Sequence, residues 1–387
     1  MCRQLFASLF LVLCVGATTL AGPLNPPSGP VAPSYKTLQE VEPRIPINAT
    51  NTPGSGTIMY IISQPGSYYL TGNINVPYNW SGIGITSNNV TIDLNGYSIL
   101  GTLFTGTGIT YVDSTRDANI HIANGFVSQF ATGIDLHTMD QGMMEDVDVF
   151  ACSTAGFMPP DASQLTRCRA TNCGTGFKIP QESVVNDCYA AWNTADGFAA
   201  LDGVATFSRC RSEDNTGNGF IVGQIPGSST LDHCYAYSNH ATNFNLGADT
   251  SATFCTSAGS IGVGIYATAR CTIRDCTAYY SHVQGIEVLN DCTVAHCRTW
   301  SNGTGFAGVW INGNGNRVED NESNANGYGY YISASATGNF LVRNTAHSNS
   351  TNFNSGWVTT SNNVAPIVTN PGANGFASMT PWSNIAY

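Results

Sequence analysis

Residues 271–300 read CTIRDCTAYYSHVQGIEVLNDCTVAHCRTW, and within them the phrase that opens at Cys271 returns 21 residues later at Cys292. The repeat extends in both directions from this stretch. Cys168, Cys188, Cys210, Cys234, Cys255, Cys276 and Cys297 follow one another at spacings of 20, 22, 24, 21, 21 and 21 residues. Asn321 and Asn344 carry the register on in VEDNES and VRNTAH, so this column accepts Cys or Asn. A second column, five residues later, passes from Cys152 and Cys173 through Asn193, Asn215 and Asn239 to Asn349. A third, five residues earlier, passes from Ser163 and Ser183 through Cys271 and Cys292 to Asn316 and Asn339.

Each unit opens with Gly or Asn before an apolar residue, as in GIGI at 82, GIDL at 133, GFKI at 176, GIEV at 285 and GYYI at 329. A polar loop, a second β-branched strand ending at the Cys/Asn column, a third short strand and an Asn/Gly turn complete the unit of 20 to 26 residues. Three strands per unit predict an all-β parallel β-helix of about 12 coils. Stacked coils place equivalent residues about 4.8 Å apart, so like side chains line up as ladders. Leucine-rich repeats need a leucine skeleton that is missing here, and helical repeats need longer runs of 3.6-residue periodicity. The hexapeptide rhythm of left-handed helices and the GGxGxD pattern of calcium rolls are absent too.

The 387 residues therefore read as one array. The expected divisions are a signal peptide at 1–21, an extended leader at 22–56, an N-terminal cap at 57–81, the β-helix at 82–358 and a C-terminal tail at 359–387. The signal peptide rests on Arg3, the apolar run Leu5–Val15 and small residues up to Ala21. Export to the cell surface, periplasm or medium follows. No later run of about 20 apolar residues is present to span a membrane. Charged residues make up 10% of the chain, against roughly 25% in ordinary domains, and the net charge is −11. Such a chain lacks the basic stripe that nucleic acid would require. Removing Cys2 and Cys14 from the thirteen cysteines leaves an odd number, so at least one thiol is unpaired or pairs between molecules. Column membership explains the CxxxxC pairs without zinc, since no His completes a site at suitable spacing. Asp146, Arg167, Asp187 and Arg209 alternate in sign just before the Cys column and read as a structural ion ladder.

The repeats NNVTIDLNGYSILG (88–101) and CTIRDCTAYYSHVQGIEVL (271–289) resemble the right-handed parallel β-helix repeats of the pectate-lyase-like superfold over residues 57–358. EVEPRIPI (40–47), ISQPGSYYLTGN (62–73) and PWSNIAY (381–387) are similar to exported bacterial β-helix proteins of planctomycete type. This resemblance implies a scaffold that binds or processes polysaccharide or cell-surface glycan. As an enzyme it would be a lyase, glycoside hydrolase or epimerase. Calcium is implied by the resemblance alone, and no cofactor or metal ligand is assignable from the residues. The NTD, DD, GHG and RIK set of polygalacturonases is missing. A non-catalytic structural or adhesive surface protein is the alternative.

Outward positions of the GIxΦ strand run Thr110, Asp135, Met158, Lys178 and Ala199, then Ile221, Asn245, Tyr266, Glu287, Ala307 and Tyr331. Asp135 and His137 face the same way, with Lys178 two coils on. This carboxylate, imidazole and amine are the candidate catalytic groups, for acid–base work or as a uronate clamp. Glu287 beside Tyr266 is a candidate ligand-binding position. Tyr235, Tyr237, Tyr279 and Trp300 form an aromatic strip after the Cys column, which suits either sugar rings or packing beneath a loop.

Overall fold

The computed structural model describes residues 42–112, 117–223, 227–354, 361–369 and 380–387. The signal segment 1–21, the leader up to residue 41 and parts of the tail lie outside the described residues. Among the described residues from Arg44 onward every regular element is a strand. A typical coil has a front strand Ile286–Asn290, a middle strand Thr293–Ala295 and a rear strand Arg298–Trp300. Front strands form one sheet of fifteen. Middle and rear strands form a second sheet of 28 strands that bends between them.

Each bend is made by one residue in the left-handed region. In this coil these are Asp291 (φ 55°), His296 (φ 56°) and Ser301 (φ 51°). Left-handed backbone costs a non-glycine residue about 1–2 kcal/mol, and at many bends the residue that follows offsets it with hydrogen bonds to the preceding coil. Cys292, Cys297 and Asn302 follow the three bends, turn inward and are buried. The three sequence columns are thus the inner lining of three corners.

The Cys/Asn interchange has a hydrogen-bonding cause. The Cys276 thiol donates to the Ala252 carbonyl of the preceding coil at 3.4 Å and accepts from the Cys255 N–H at 3.4 Å. Asn321 makes the same two contacts on its own preceding coil. Its Nδ2 donates to the Val294 carbonyl at 2.9 Å, and its Oδ1 accepts from the Cys297 N–H at 2.8 Å. Both side chains satisfy a backbone donor and acceptor that the bend removes from the ladder. All eleven cysteines of the described residues are free and buried. Burial holds the Cys188, Cys210 and Cys297 thiols well above their ordinary range, where they are poor nucleophiles.

Beneath the front sheet, Phe157, Phe177, Phe198, Phe220 and Phe244 stack with centroids 4.7, 4.7, 4.8 and 5.1 Å apart. The spacing equals the strand separation of the coils, so one ring per coil fills the core. Outside, Arg167 grips Asp146 at 2.7 and 2.6 Å, and Arg209 grips Asp187 at 2.7 and 2.8 Å. These pairs form the ion ladder expected at the corner before the Cys column.

Fourteen of the fifteen front strands run parallel, which makes about fourteen coils rather than twelve. The difference arises partly at the start. Ile58–Ile62, in the segment expected to cap the helix, pairs in parallel with Ser81–Ile85 and carries the first coil. The antiparallel strand Pro53–Ser55 covers its edge. At the other end, Asn384 supplies one more rung, its Oδ1 accepting from the Asn344 N–H at 2.9 Å. Such coverage protects end coils from edge pairing.

Candidate functional site

Register on the front sheet decides which outward side chains meet. Asp135 is opposite Thr110 and Met158. Its Oδ1 lies 2.5 Å from His137 Nδ1, so these two are in direct contact. Lys178 shares the outer column, but Met158 stands between it and Asp135. Two coil steps, roughly 10 Å, separate amine from carboxylate, and Lys178 forms no ion pair among the described residues. The catalytic trio expected from the sequence is therefore a pair with a distant third member.

Farther along, Tyr266, Glu287, Trp310 and Tyr331 face one another in register on four successive coils. The residue after Glu287 in this column is Trp310, not Ala307. Ala307 opens its strand and is only 3% exposed. GTGFAGVWING contains two Gly-apolar phrases, and the second, GVWI, is the one in phase with GIEV and GYYI. That phase is the signal by which Trp310 is found in the sequence.

Glu287 is the one buried carboxylate among the described residues, at 7% exposure on an outward-facing position. The flanking Tyr266 and Trp310 rings take its solvent. Asn312 Nδ2 donates to Glu287 Oε1 at 3.0 Å. A directed chain supports this bond: Trp310 Nε1–H donates to Ser333 Oγ at 2.9 Å, and Ser333 Oγ–H donates to Asn312 Oδ1 at 2.7 Å. Asn312 and Ser333 are held just past their strands by backbone bonds to Val288 and Ile311. Glu287 Oε2 accepts no hydrogen bond among the described residues and keeps contact with solvent. Burial raises the Glu287 pKa, opposed in part by the Asn312 bond. Burial and then the Glu287 charge raise that of Tyr266.

Aromatic edges extend this surface. Tyr331 meets Trp310 edge-on at 6.2 Å, and Tyr328 meets Tyr331 edge-on at 5.2 Å. The arrangement offers π faces, an indole fixed in direction and one carboxylate oxygen free to bind. Its neighbours in the column carry no second carboxylate, so the paired acids of glycoside hydrolysis do not form there.

The rear strip is differently employed. Arg169 lies 5.4 Å over the Tyr189 ring and Arg211 5.0 Å over Tyr235. Tyr189 donates to Glu213 at 2.9 Å. Tyr235 and Tyr237 have ring centroids 6.4 Å apart, and Tyr279 stacks on Trp300 at 4.5 Å with planes 6° apart. These rings are engaged by one another and by arginines. No three His, Cys, Asp or Glu residues among those described converge on one point. The carboxylate cluster that calcium would need is therefore not formed by them.

Residues 180–316 match the family model described as right handed beta helix region. That match covers part of the chain, and the fold of the described residues is a right-handed parallel β-helix. This β-helix is similar to the A-module of mannuronan C-5 epimerase AlgE6 from Azotobacter vinelandii, with TM-score 0.56 and 14% identity over 84% of this chain and 91% of that one. It is also similar to the A-module of AlgE4 from the same organism, with TM-score 0.51 and 13% identity over 79% and 91%. At these identities the likeness is one of fold. No curated protein sequence matches significantly.

Proposed function

We propose that this β-helix is exported and binds a polysaccharide along the front sheet, with Tyr266, Glu287, Trp310 and Tyr331 as the contact column. The single observation that carries the reading is the fixed Trp310–Ser333–Asn312–Glu287 chain among half-buried aromatic rings on the outer face of the front sheet. Sugar rings present C–H faces to aromatic side chains and hydroxyls to a carboxylate. A column repeating at every coil suits a linear polymer better than a compact ligand. The fold shared with two modules named for mannuronan adds support for this ligand class. Arg3, the apolar run Leu5–Val15 and Ala21 support export.

A lone carboxylate beside the rings favours binding over hydrolysis. Asp135 with His137 remains the candidate for proton transfer. The rear strip, with Tyr235, Tyr237, Tyr279 and Trp300, is the competing surface. The test is a panel of neutral, acidic and basic polysaccharides screened with wild type, Trp310→Ala and Trp300→Ala. Loss of binding in Trp310→Ala alone supports the proposal, and silence across the panel refutes it in favour of a structural role.

A further inference from the structure

The charge at the front site also points to a ligand class. Glu287 is buried beside two aromatic rings with one oxygen free, and no Arg, Lys or His lies within ion-pairing distance among the described residues. The contrast with the other strongly held acids is plain. Asp146, Asp187, Asp249 and Asp320 are each gripped by an arginine through two oxygens. An unpaired charge in a desolvated position is unfavourable until a counter-charge arrives.

We infer that the surface column formed by Tyr266, Glu287 and Trp310 recognises the ammonium group of an amino sugar, so that the preferred polymer contains de-N-acetylated hexosamine. This rests on the polysaccharide reading above and narrows it. Ammonium ions are drawn to the π faces of Trp and Tyr, most strongly where water is excluded. Tyr266 and Trp310 flank Glu287 on consecutive coils, one step of about 4.8 Å on each side. An ammonium entering between them meets Oε2 and ring faces together. A uronate carboxylate would meet Glu287 with like charge and find no cation, since Lys178 is five coils away on the same column. The net charge of −11 further favours a cationic polymer over an anionic one.

The experiment is calorimetric titration of the full chain with glucosamine hexamer, N-acetylglucosamine hexamer and galacturonate hexamer, at low and high salt. Wild type should bind the glucosamine hexamer at least about tenfold more tightly than the N-acetylated one. That preference should shrink with salt and disappear in Glu287→Gln, whose melting curve serves as the folding check. Equal or tighter binding of the N-acetylated hexamer overturns the inference and leaves the polysaccharide reading standing. Tighter binding of galacturonate does the same. A preference that survives in folded Glu287→Gln overturns the assignment to this column. Absence of binding to any hexamer or to the wider panel overturns both readings. The wild-type comparison decides the matter even if the variant fails to fold.

Discussion

Asn312 donates to Glu287 across 3.0 Å, and this bond is the only one the buried carboxylate receives from the described residues. The donor is itself oriented by Ser333, which receives the Trp310 indole proton. Because hydrogen bonding favours the ionised form, Asn312→Ala should raise the Glu287 pKa further. A carboxyl-selective NMR titration of the two proteins measures it. An unchanged or lowered value would mean that the bond is absent in solution.

The same carboxylate makes stability depend on pH. Its folded-state pKa is raised by burial, so between the ordinary glutamate value and the folded value the native state binds more protons than the unfolded chain. Stability then falls as pH rises through that window. Glu287→Gln should remove the decline, so the variant gains on wild type as pH rises out of the ordinary carboxylate range. Urea midpoints from about pH 4 to 8 test the sign.

The inner columns predict an unusual tolerance. Cys276→Asn keeps a donor to the Ala252 carbonyl and an acceptor for the Cys255 N–H, the two contacts its thiol makes with the preceding coil. It should cost less than Cys276→Val, which leaves both groups unpaired at about 1–3 kcal/mol. In wild type, all eleven of these thiols should label slowly when native and be free once the chain is unfolded. Recovery of disulfides from unfolded protein would contradict the hydrogen-bonded column.

The corners predict a reversed effect of glycine. Ala325 is exposed and sits at φ 54°, where a Cβ is unfavourable. Ala325→Gly should leave stability unchanged or raise it by up to about 1 kcal/mol. Ala346→Gly, on a buried strand position, should lose about 1 kcal/mol. Equal losses at the two sites would count against the left-handed corners.

Much of this fold is legible in the sequence because stacking repeats one coil's environment in the next. Cys276, Asn321 and the pair Asp146 and Arg167 reveal their columns through spacing alone. The corners are less legible. Phe254, Tyr280 and Trp192 all adopt left-handed backbone, yet none is a residue that turn chemistry favours. Coil geometry imposes the bend there, and after Phe254 and Trp192 the inward Cys255 and Asn193 compensate it with bonds to the Leu231 and Ala170 carbonyls of the preceding coil. Trp310 is hidden by Gly305 and Gly308, either of which can open a strand. Asp135, Met158 and Lys178 follow one another in the column as their spacing indicates, but the direct contact of Asp135 with His137 is visible only in the structure. The burial of Glu287 depends on Tyr266 and Trp310 together and becomes visible only once the register is known.

The central claim is that the ligand lies on the front sheet at Glu287 and Trp310. The most direct measurement is the affinity of the best-binding polysaccharide for wild type, Trp310→Ala and Trp300→Ala side by side. The front-sheet account predicts a loss of about tenfold or more, or 1.4 kcal/mol, in Trp310→Ala and near wild-type affinity in Trp300→Ala. Unchanged binding in Trp310→Ala with loss in Trp300→Ala would contradict it and move the site to the rear strip.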